Sequence, residues 1–558
     1  MECQFEALKR CPRSKHHLEQ CLQSLPRSLD ETYERMLLSI DEGSYEEARR
    51  ILTLLCFSSR PLAVSEVLHG IAVDLGEQAC LDRARLLQDV DDLREICPGL
   101  IDFGPELREG IGSTTNPATD LTRPEVTVRI AHFSVQEYLE SDRIRQQKAE
   151  FFAMSSINAH QEIATICCTY LLEPQISNDL LTPAKLAEFP LAHFAAQFWF
   201  YHYQAGKEKP ARLRTLITKI FKQQHDHFAT WVKLHDPVDQ PQNIWVNFKR
   251  SSNKIAPALY YASFLGIDWI IHEILFARDA AGRRVEKIVN AQGGYYGNAL
   301  QAASFGGHEQ VVKLLLDAGA EVNAQGGVYG NALQAASFRS YEQVVKLLLD
   351  AGAEVNVQGG DYGNALQAAS FRGHEQAVKL LLDAGAKVNA QGGDYGNALQ
   401  TASLGGHEQV VKLLLDAGAE VNAQGGVYGN ALQAASEGGY EQVVKLLLDA
   451  GAEVNVQGGH YGNALQTASE GGYEQVVKLL LDAGAEVNAQ GGYYGNALHA
   501  ASFEGHERVV KLLLDAGAEV NAQGGYYGNA LQAASFEGHE QVVKLLFDRG
   551  AILNLIRL

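Results

Sequence analysis

One stretch of 33 residues returns along the second half of this 558-residue chain almost unchanged. From Asn290 to Val322 it reads NAQGGYYGNALQAASFGGHEQVVKLLLDAGAEV. It begins again at Asn323, Asn356, Asn389, Asn422, Asn455, Asn488 and Asn521, giving eight units. A degenerate ninth precedes them, with Pro257 to Phe264 (PALYYASF) standing against NALQAASF and eight extra residues around Arg283-Arg284-Val285. A strict period of this size requires a stack of supersecondary units, because one unit alone cannot bury its apolar face. Composition changes at the same place: all fourteen prolines lie at or before Pro257, and 43 of the 53 glycines lie from Asn290 onward.

The residues of one unit predict two helices and a projecting turn. Asn298 is placed to cap a short helix starting at Ala299, with Leu300, Ala303 and Ser304 on one face. Gly306 and Gly307 break it. A second helix is expected from about Glu309 to Ala318. Val311, Val312, Leu314, Leu315 and Leu316 make it apolar on most of its surface, so burial on both sides is expected. Gly319 stands where a left-handed C-cap is needed. Glu309, Lys313 and Asp317 fall on one solvent-facing line. Gly293, Gly294 and Gly297 shape the turn.

This unit resembles the ankyrin repeat. The runs GH, VVKLLL, AGA and VN stand in that family's order and at its period. Two departures occur: Asn298-Ala299-Leu300-Gln301 replaces the usual TPLH, and Tyr296 stands at the usual turn glycine, with Gly297 beside it. The resemblance covers residues 257–554.

The first half predicts helices over Leu29–Ile40, Tyr45–Cys56, Ser65–Val73 (capped by Ser65) and Arg83–Ile96. Short strands are expected at Leu100–Phe103 and Val126–Ile130, joined by a loop with Gly110, Gly112 and Pro117. Three helices followed by a two-stranded wing is a winged-helix pattern. Ser24-Leu25-Pro26, Leu29-Asp30-Glu31-Thr32-Tyr33-Glu34-Arg35-Met36 and Ala131-His132-Phe133-Ser134-Val135-Gln136-Glu137-Tyr138-Leu139 look like the region after the NACHT NTPase domain in fungal NLR-like (STAND) proteins. That region is similar to the winged helix of GPI inositol-deacylase relatives. Cys3-Gln4-Phe5-Glu6-Ala7-Leu8 looks like the tail of a NACHT domain, and Leu191 to Tyr203 resembles the aromatic segment before the ankyrin array in that family. The resemblance implies an upstream nucleotide-binding module, a winged helix that transmits its state, and repeats that sense a ligand. No GxxxxGK[ST] phosphate loop occurs in the chain. Either the chain starts late or it is a truncated paralogue.

The expected fold class is mainly α, an N-terminal winged-helix-like domain followed by an ankyrin-repeat α-solenoid. The expected division is a NACHT-like tail at 1–25, a winged-helix-like domain at 26–145, a helical linker at 146–255 and repeats at 256–558.

The repeats differ at few places. The sixth unit position runs Tyr295, Val328, Asp361, Asp394, Val427, His460, Tyr493 and Tyr526. The sixteenth runs Phe305, Phe338, Phe371, Leu404, Glu437, Glu470, Phe503 and Phe536, and the seventeenth includes Arg339, Arg372, Glu504 and Glu537. By resemblance, ankyrin modules bind partners through the finger tip and the end of the first helix, where these positions should lie. Exposed aromatics on a rigid scaffold make good interface anchors. The competing reading is drift at positions that packing does not police.

Charge fits a surface array. The formal charge is -20, of which residues 290–558 carry -14. Such a chain is a poor non-specific nucleic-acid binder. A basic partner segment is one consequence; solubility of a long solenoid is the other reading. No basic recognition helix supports DNA binding by the winged helix. No run of apolar residues is long enough to span a membrane, and MECQFEALKRC has no secretory h-region. The eight cysteines, all between Cys3 and Cys168, read as reduced cytosolic thiols, with Cys167-Cys168 in the core.

Apparent chemistry has simpler explanations. His308, His374, His407, His506 and His539 each open a His-Glu-x-x-Val run, so the zincin histidine pair is missing. Tyr341, Tyr440 and Tyr473 replace the histidine, which suits a packing role. His132-Phe133-Ser134 has no GxSxG elbow and no acid partner in sequence. The expectation is a non-enzymatic protein-interaction scaffold without metal or cofactor, cytoplasmic with a nuclear alternative. It either stands alone as an adaptor or forms the sensor end of a nucleotide-switched NTPase in self/non-self signalling; a decaying gene product is the weaker alternative. The array should end in exposed apolar surface or in an imperfect cap, given Leu545-Leu546-Phe547, Ile552, Leu553, Leu555, Ile556 and Leu558.

Overall fold

The alanines of each repeat decide how closely its neighbours approach. In Ala299–Gly306 the run Ala299 to Ser304 is wholly buried, with Ala302 and Ala303 at 0% exposure. Small side chains at these places let consecutive first helices lie against one another. Asn298 caps this helix, its Oδ1 accepting from the Gln301 N–H at 2.9 Å. Gly307 closes it in the left-handed region at φ +71°. The second helix, Glu309–Asp317, ends in a Schellman turn. The Ala320 N–H donates to the Leu315 carbonyl (2.9 Å), and Gly319 sits at φ +87° with open space where a Cβ would stand. The same pair of helices recurs through Ala530–Glu537 and Glu540–Asp548.

The computed structural model describes residues 28–87, 89–104, 126–176, 181–222, 226–238, 254–276, 288–460 and 462–552. It divides into two compact units, 1–255 and 256–558. The expected NACHT-like tail, the Gly110–Pro117 loop, Arg283-Arg284-Val285 and the apolar residues Leu553 to Leu558 lie outside the described residues.

The second helix corrects one expectation. It is buried on one face only, at Val311, Val312 and Leu315, while Leu314 and Leu316 are half-buried. The helix buried on all sides is the first. Glu309, Lys313 and Asp317 face outward. At the last unit Leu546 is buried, and Phe547 and Ile552 stay 46% and 61% exposed.

Two side-chain ladders join one unit to the next, and a third closes each unit on itself. Gln301 Nε2 donates to the Gly326 and Gly330 carbonyls of the following finger, each at 2.9 Å. Asn290 accepts from the Glu321 N–H at 2.9 Å and donates to the Gly319 carbonyl. His308 Nε2 donates to the Phe264 carbonyl at 2.9 Å, and His374, His407, His506 and His539 repeat that bond. Burial lowers the pKa of His308 and His374, which suits a neutral donor.

In the first unit, helices α1 (Leu29–Leu38), α2 (Tyr45–Phe57), α3 (Val64–Ala72) and α4 (Val90–Ile96) surround a small sheet. Strands β1 (Leu62–Ala63), β4 (Ile101–Gly104) and β5 (Thr127–Ile130) form it in the order β1-β5-β4, antiparallel, with Leu62 opposite Val128 and Ile101 opposite Ile130. A second hairpin pairs β2 (Val73–Asp74) with β3 (Cys80–Leu81). Both β1 and this hairpin are too short to show period-2 alternation in sequence.

Two helix starts differ from expectation. Helix α3 begins at Val64, so Ser65 lies inside it; the Glu66 carboxylate accepts the Ala63 N–H at 2.8 Å and is itself held by both Arg60 nitrogens at 2.8 and 2.5 Å. The stretch expected as one helix from Arg83 to Ile96 is a 3-10 turn at Arg83–Arg85 and then α4. Asp89 caps α4 by accepting from the Asp91 and Asp92 N–H groups, and its extended backbone ends any helix arriving from before it.

Helix α5 (Phe133–Glu140) follows the sheet. Helices α6 (Ser156–Leu171), α7 (Pro183–Ala187), α8 (Leu191–Ala205), α9 (Ala211–Phe221) and α10 (His227–Leu234) complete this unit. Among the described residues these helices are packed with the elements before them rather than strung out. Glu162 of α6 pairs with Arg49 and Arg50 of α2 at 3.4 and 3.5 Å, and Trp199 stacks edge-on to Trp231 at 5.5 Å. Cys167 and Cys168 are fully buried in α6, and burial raises both thiol pKa values.

Leu447, at 0% exposure in the middle of the array, tests the stack. Leu447→Ala should cost about 2–5 kcal/mol in denaturant unfolding, whereas Lys445→Ala on the outer face of the same helix should change stability by less than about 0.5 kcal/mol.

Candidate functional site

The projecting turns stand in a row, and at four of the seven junctions a backbone bond runs from finger to finger at the sixth position. The Val328 N–H donates to the Tyr295 carbonyl (3.2 Å), Asp361 to Val328 (3.0 Å), Val427 to Asp394 (3.0 Å) and His460 to Val427 (3.3 Å). Each finger also closes on itself, Gly326 N–H to Gly330 carbonyl at 2.8 Å. Gly330 cannot be replaced freely: it sits at φ +83°, and an added Cβ would lie 2.1 Å from Gln334 Oε1 and 2.7 Å from the Gly359 carbonyl carbon.

Side chains at the sixth position consequently stand in line at the tips. Tyr295, Val427, Tyr493 and Tyr526 are exposed, Tyr526 by 76%. Asp361, Asp394 and His460 are exposed, and Val328 is half-buried. His460 stacks on Tyr493 (6.2 Å) and Tyr493 on Tyr526 (5.9 Å, 12° between planes).

Behind the tips lies a second row that the sequence reading did not single out, built on the invariant tyrosine at the seventh position. The rings of Tyr296, Tyr329, Tyr362 and Tyr527 each lie against the sixteenth-position side chain of their own unit and of the unit before. Phe264, Tyr296 and Phe305 follow one another at 5.5 and 4.3 Å. Tyr329 continues at 5.2 Å, Phe338 at 4.9 Å, Tyr362 at 4.8 Å, Phe371 at 5.2 Å and Tyr395 at 5.1 Å. The ladder resumes as Tyr494, Phe503, Tyr527 and Phe536 at 5.4, 4.5 and 5.4 Å. Burial pushes the Tyr296 hydroxyl up to about 12. The signal in sequence was the invariance of this tyrosine and its spacing of nine residues from the phenylalanine.

The sixteenth-position phenylalanines therefore do not stand free. Phe305, Phe338, Phe371 and Phe503 are half-buried between tyrosines, and only Phe536, at the last unit, is 71% exposed. Arg339 and Arg372 are exposed, each guanidinium lying over a ring of the preceding unit, Phe305 at 5.0 Å and Phe338 at 5.2 Å.

Between the two aromatic stretches the ladder is broken. Leu404, Glu437 and Glu470 occupy the phenylalanine place, all half-buried. Glu470 Oε1 accepts from the Tyr494 hydroxyl at 3.3 Å, and its Oε2 is buried with no hydrogen-bond partner. Burial first, then the neighbouring Glu437 carboxylate, push Glu470 up to about 7; burial raises Glu437 as well.

Elsewhere, His132 Nδ1 accepts from the Ser134 N–H and so caps α5, and Ser134 Oγ lies 2.6 Å from both His132 and Tyr33. Among the described residues no group of histidine, cysteine and carboxylate side chains is arranged to hold a metal ion, and no helix is long and apolar enough to cross a membrane.

Residues 259–359, 332–425, 425–491 and 465–556 match the family model of ankyrin repeats in three copies, and residues 33–106 match that of the GPI inositol-deacylase winged helix domain. The azaphilone pigments biosynthesis cluster protein L of Monascus ruber is 46% identical over 314 residues, which make up 56% of this chain and 63% of that protein. The chain thus spans just under two thirds of this relative. Among solved structures, the human ASB11 ankyrin repeat domain is similar at 27% identity and a TM-score of 0.35, over 38% of this chain and 96% of that one.

Glu470 provides a pH test. A carboxyl held near 7 in the fold but near its ordinary value when unfolded destabilises the fold as pH rises between those two values. Glu470→Gln should therefore melt above the parent at pH 7.5, by about 1 kcal/mol once half-exposure is allowed for. The difference should close as pH falls towards 4.5.

Proposed function

We propose, from the premise that this chain belongs to the ankyrin-repeat family, that it binds a protein partner along the row of finger tips and first-helix ends. The observation that carries this reading is the alignment of variable side chains on an invariant frame. First-helix carboxamides, joined at four junctions by backbone bonds between tips, hold the fingers in register, while the residues presented there change from tyrosine to valine, aspartate and histidine. A rigid row of this kind loses little conformational freedom on binding, and its exposed tyrosines offer large apolar area at low entropic cost. The contact residues on this reading are Tyr295, Val328, Asp361, Asp394, Val427, His460, Tyr493 and Tyr526 at the tips. At the helix ends they are Phe305, Phe338, Arg339, Phe371, Arg372, Glu437, Glu470, Phe503 and Phe536.

A second reading rests on the winged-helix match at residues 33–106, which fits a NACHT-associated architecture. On it, the chain supplies the regulatory and sensor portion of a nucleotide-switched NTPase in fungal NLR-like signalling. The repeats would sense the partner and the winged helix would carry its effect, with residues 26–145 as that module and 256–558 as the sensor. Both readings place a protein partner on the same row.

Site-specific photo-crosslinking in the native host tests the shared claim. A crosslinking residue at Val427 or Tyr526 should yield the same protein adduct, and one at Lys412 or Lys445, on the outer face of the second helices, should yield none. Equal adducts from both faces would overturn it.

A further inference from the structure

The row of first-helix ends changes sign along its length. In the second and third units it carries Arg339 and Arg372, each laid over the phenylalanine of the preceding unit. In the fourth it carries Leu404, which is uncharged. In the fifth and sixth it carries Glu437 and Glu470, and in the seventh and eighth Glu504 and Glu537. The Arg339 and Arg372 guanidiniums lie exposed over rings, Arg339 Nη2 also donating to the Tyr341 hydroxyl at 3.5 Å, while Glu470 keeps one buried carboxylate oxygen without a partner.

Placing a carboxylate there has a cost that simple surface drift would avoid. Phenylalanine at this position stacks between two tyrosines, as at Phe338. Glutamate gives up that contact and places a half-buried charge next to a second one, so the free protein holds it at a disadvantage. A bound cation would relieve both the burial and the repulsion. The neighbouring tyrosines Tyr428 and Tyr494 flank the carboxylates, and such rings take the aliphatic stem and head of a lysine or arginine.

We propose that this row binds one extended segment of a protein partner carrying acidic residues at one end and basic residues at the other. The acidic end lies over Arg339 and Arg372 and the basic end over Glu437 and Glu470, with an apolar residue opposite Leu404. This inference rests on the binding row proposed above and names its partner's chemistry. The spacing follows from the stack. Packed helices lie about 8–10 Å apart, so Arg372 and Glu437, two units apart, are separated by about 16–20 Å. An extended chain rising about 3.3 Å per residue covers that distance in five or six residues.

Three synthetic peptides of one composition test this on the full chain by fluorescence anisotropy. The first has an acidic and a basic block separated by about six residues with leucine at the centre. The second has the same charges interleaved, and the third has the blocks adjacent. The first should bind about tenfold more tightly than either of the others. Glu437→Gln with Glu470→Gln should remove that advantage, and so should Arg339→Gln with Arg372→Gln. Glu309→Gln with Glu441→Gln, on the second helices, should keep it. Equal affinity for the three peptides, or an equal loss from the second-helix variants, would overturn the proposal and leave only general acidity. If crosslinks then still fell on Val427 and Tyr526 alone, the binding row would stand and its partner's charge pattern would differ.

Discussion

The carboxamide of Gln301 and its counterparts determines where everything functional in the array stands. Its Nε2 reaches across to the carbonyls of the next finger, so the finger of one unit is held by the helix of the unit before. Gln334, Gln367, Gln400, Gln433 and Gln466 repeat the bond. In the seventh unit His499 stands in this place, and its Nε2 meets the Ala522 carbonyl at 3.1 Å. Losing it would cost the Gly326 carbonyl this partner, while the Gly330 carbonyl would keep only the Gly326 N–H. Finger register, tyrosine stacking and the line of tip residues all follow from that one lock.

Much of this was legible in the sequence, and for a physical reason. A unit repeated eight times averages away local ambiguity: one Asn-Ala-Leu fits a loop as well as a cap, but eight at the same spacing are caps. The Asn298 cap and the Gly319 turn lie where the residue types place them. The first-helix ends were harder. Phenylalanine at the sixteenth position reads as exposed from pattern alone, and only the geometry brings Tyr296 and Tyr329 against Phe305. The Tyr329–Phe305 contact joins residues in different units, and no periodicity within one unit encodes it.

The first unit shows where reading by period fails. Leu62–Ala63 is a strand because Val128 lies opposite, a partner 66 residues away. Arg83–Ile96 carries helical spacing throughout, yet Asp89 satisfies the first N–H groups of α4 and ends the run before it. Ser65 is a sound cap by type, but the N-cap is Ala63, two residues earlier, whose N–H is held by Glu66, itself fixed by Arg60. In each case a specific polar bond overrides a statistical preference, and such bonds are invisible until the chain is folded.

Six of the seven junctions between regular units are made by the same carboxamide bonds, with His499 at the seventh, so the frame repeats from unit to unit. Near-identity of units also favours unequal recombination between them at the level of the gene. Loss or gain of whole repeats would then leave a sound solenoid while changing what separates the arginine pair from the glutamate pair. The unit at residues 389–421, which carries Leu404 at this place, is one such gradation. The protein is in that sense a ruler whose length inheritance can alter in whole steps, with folding indifferent to the count.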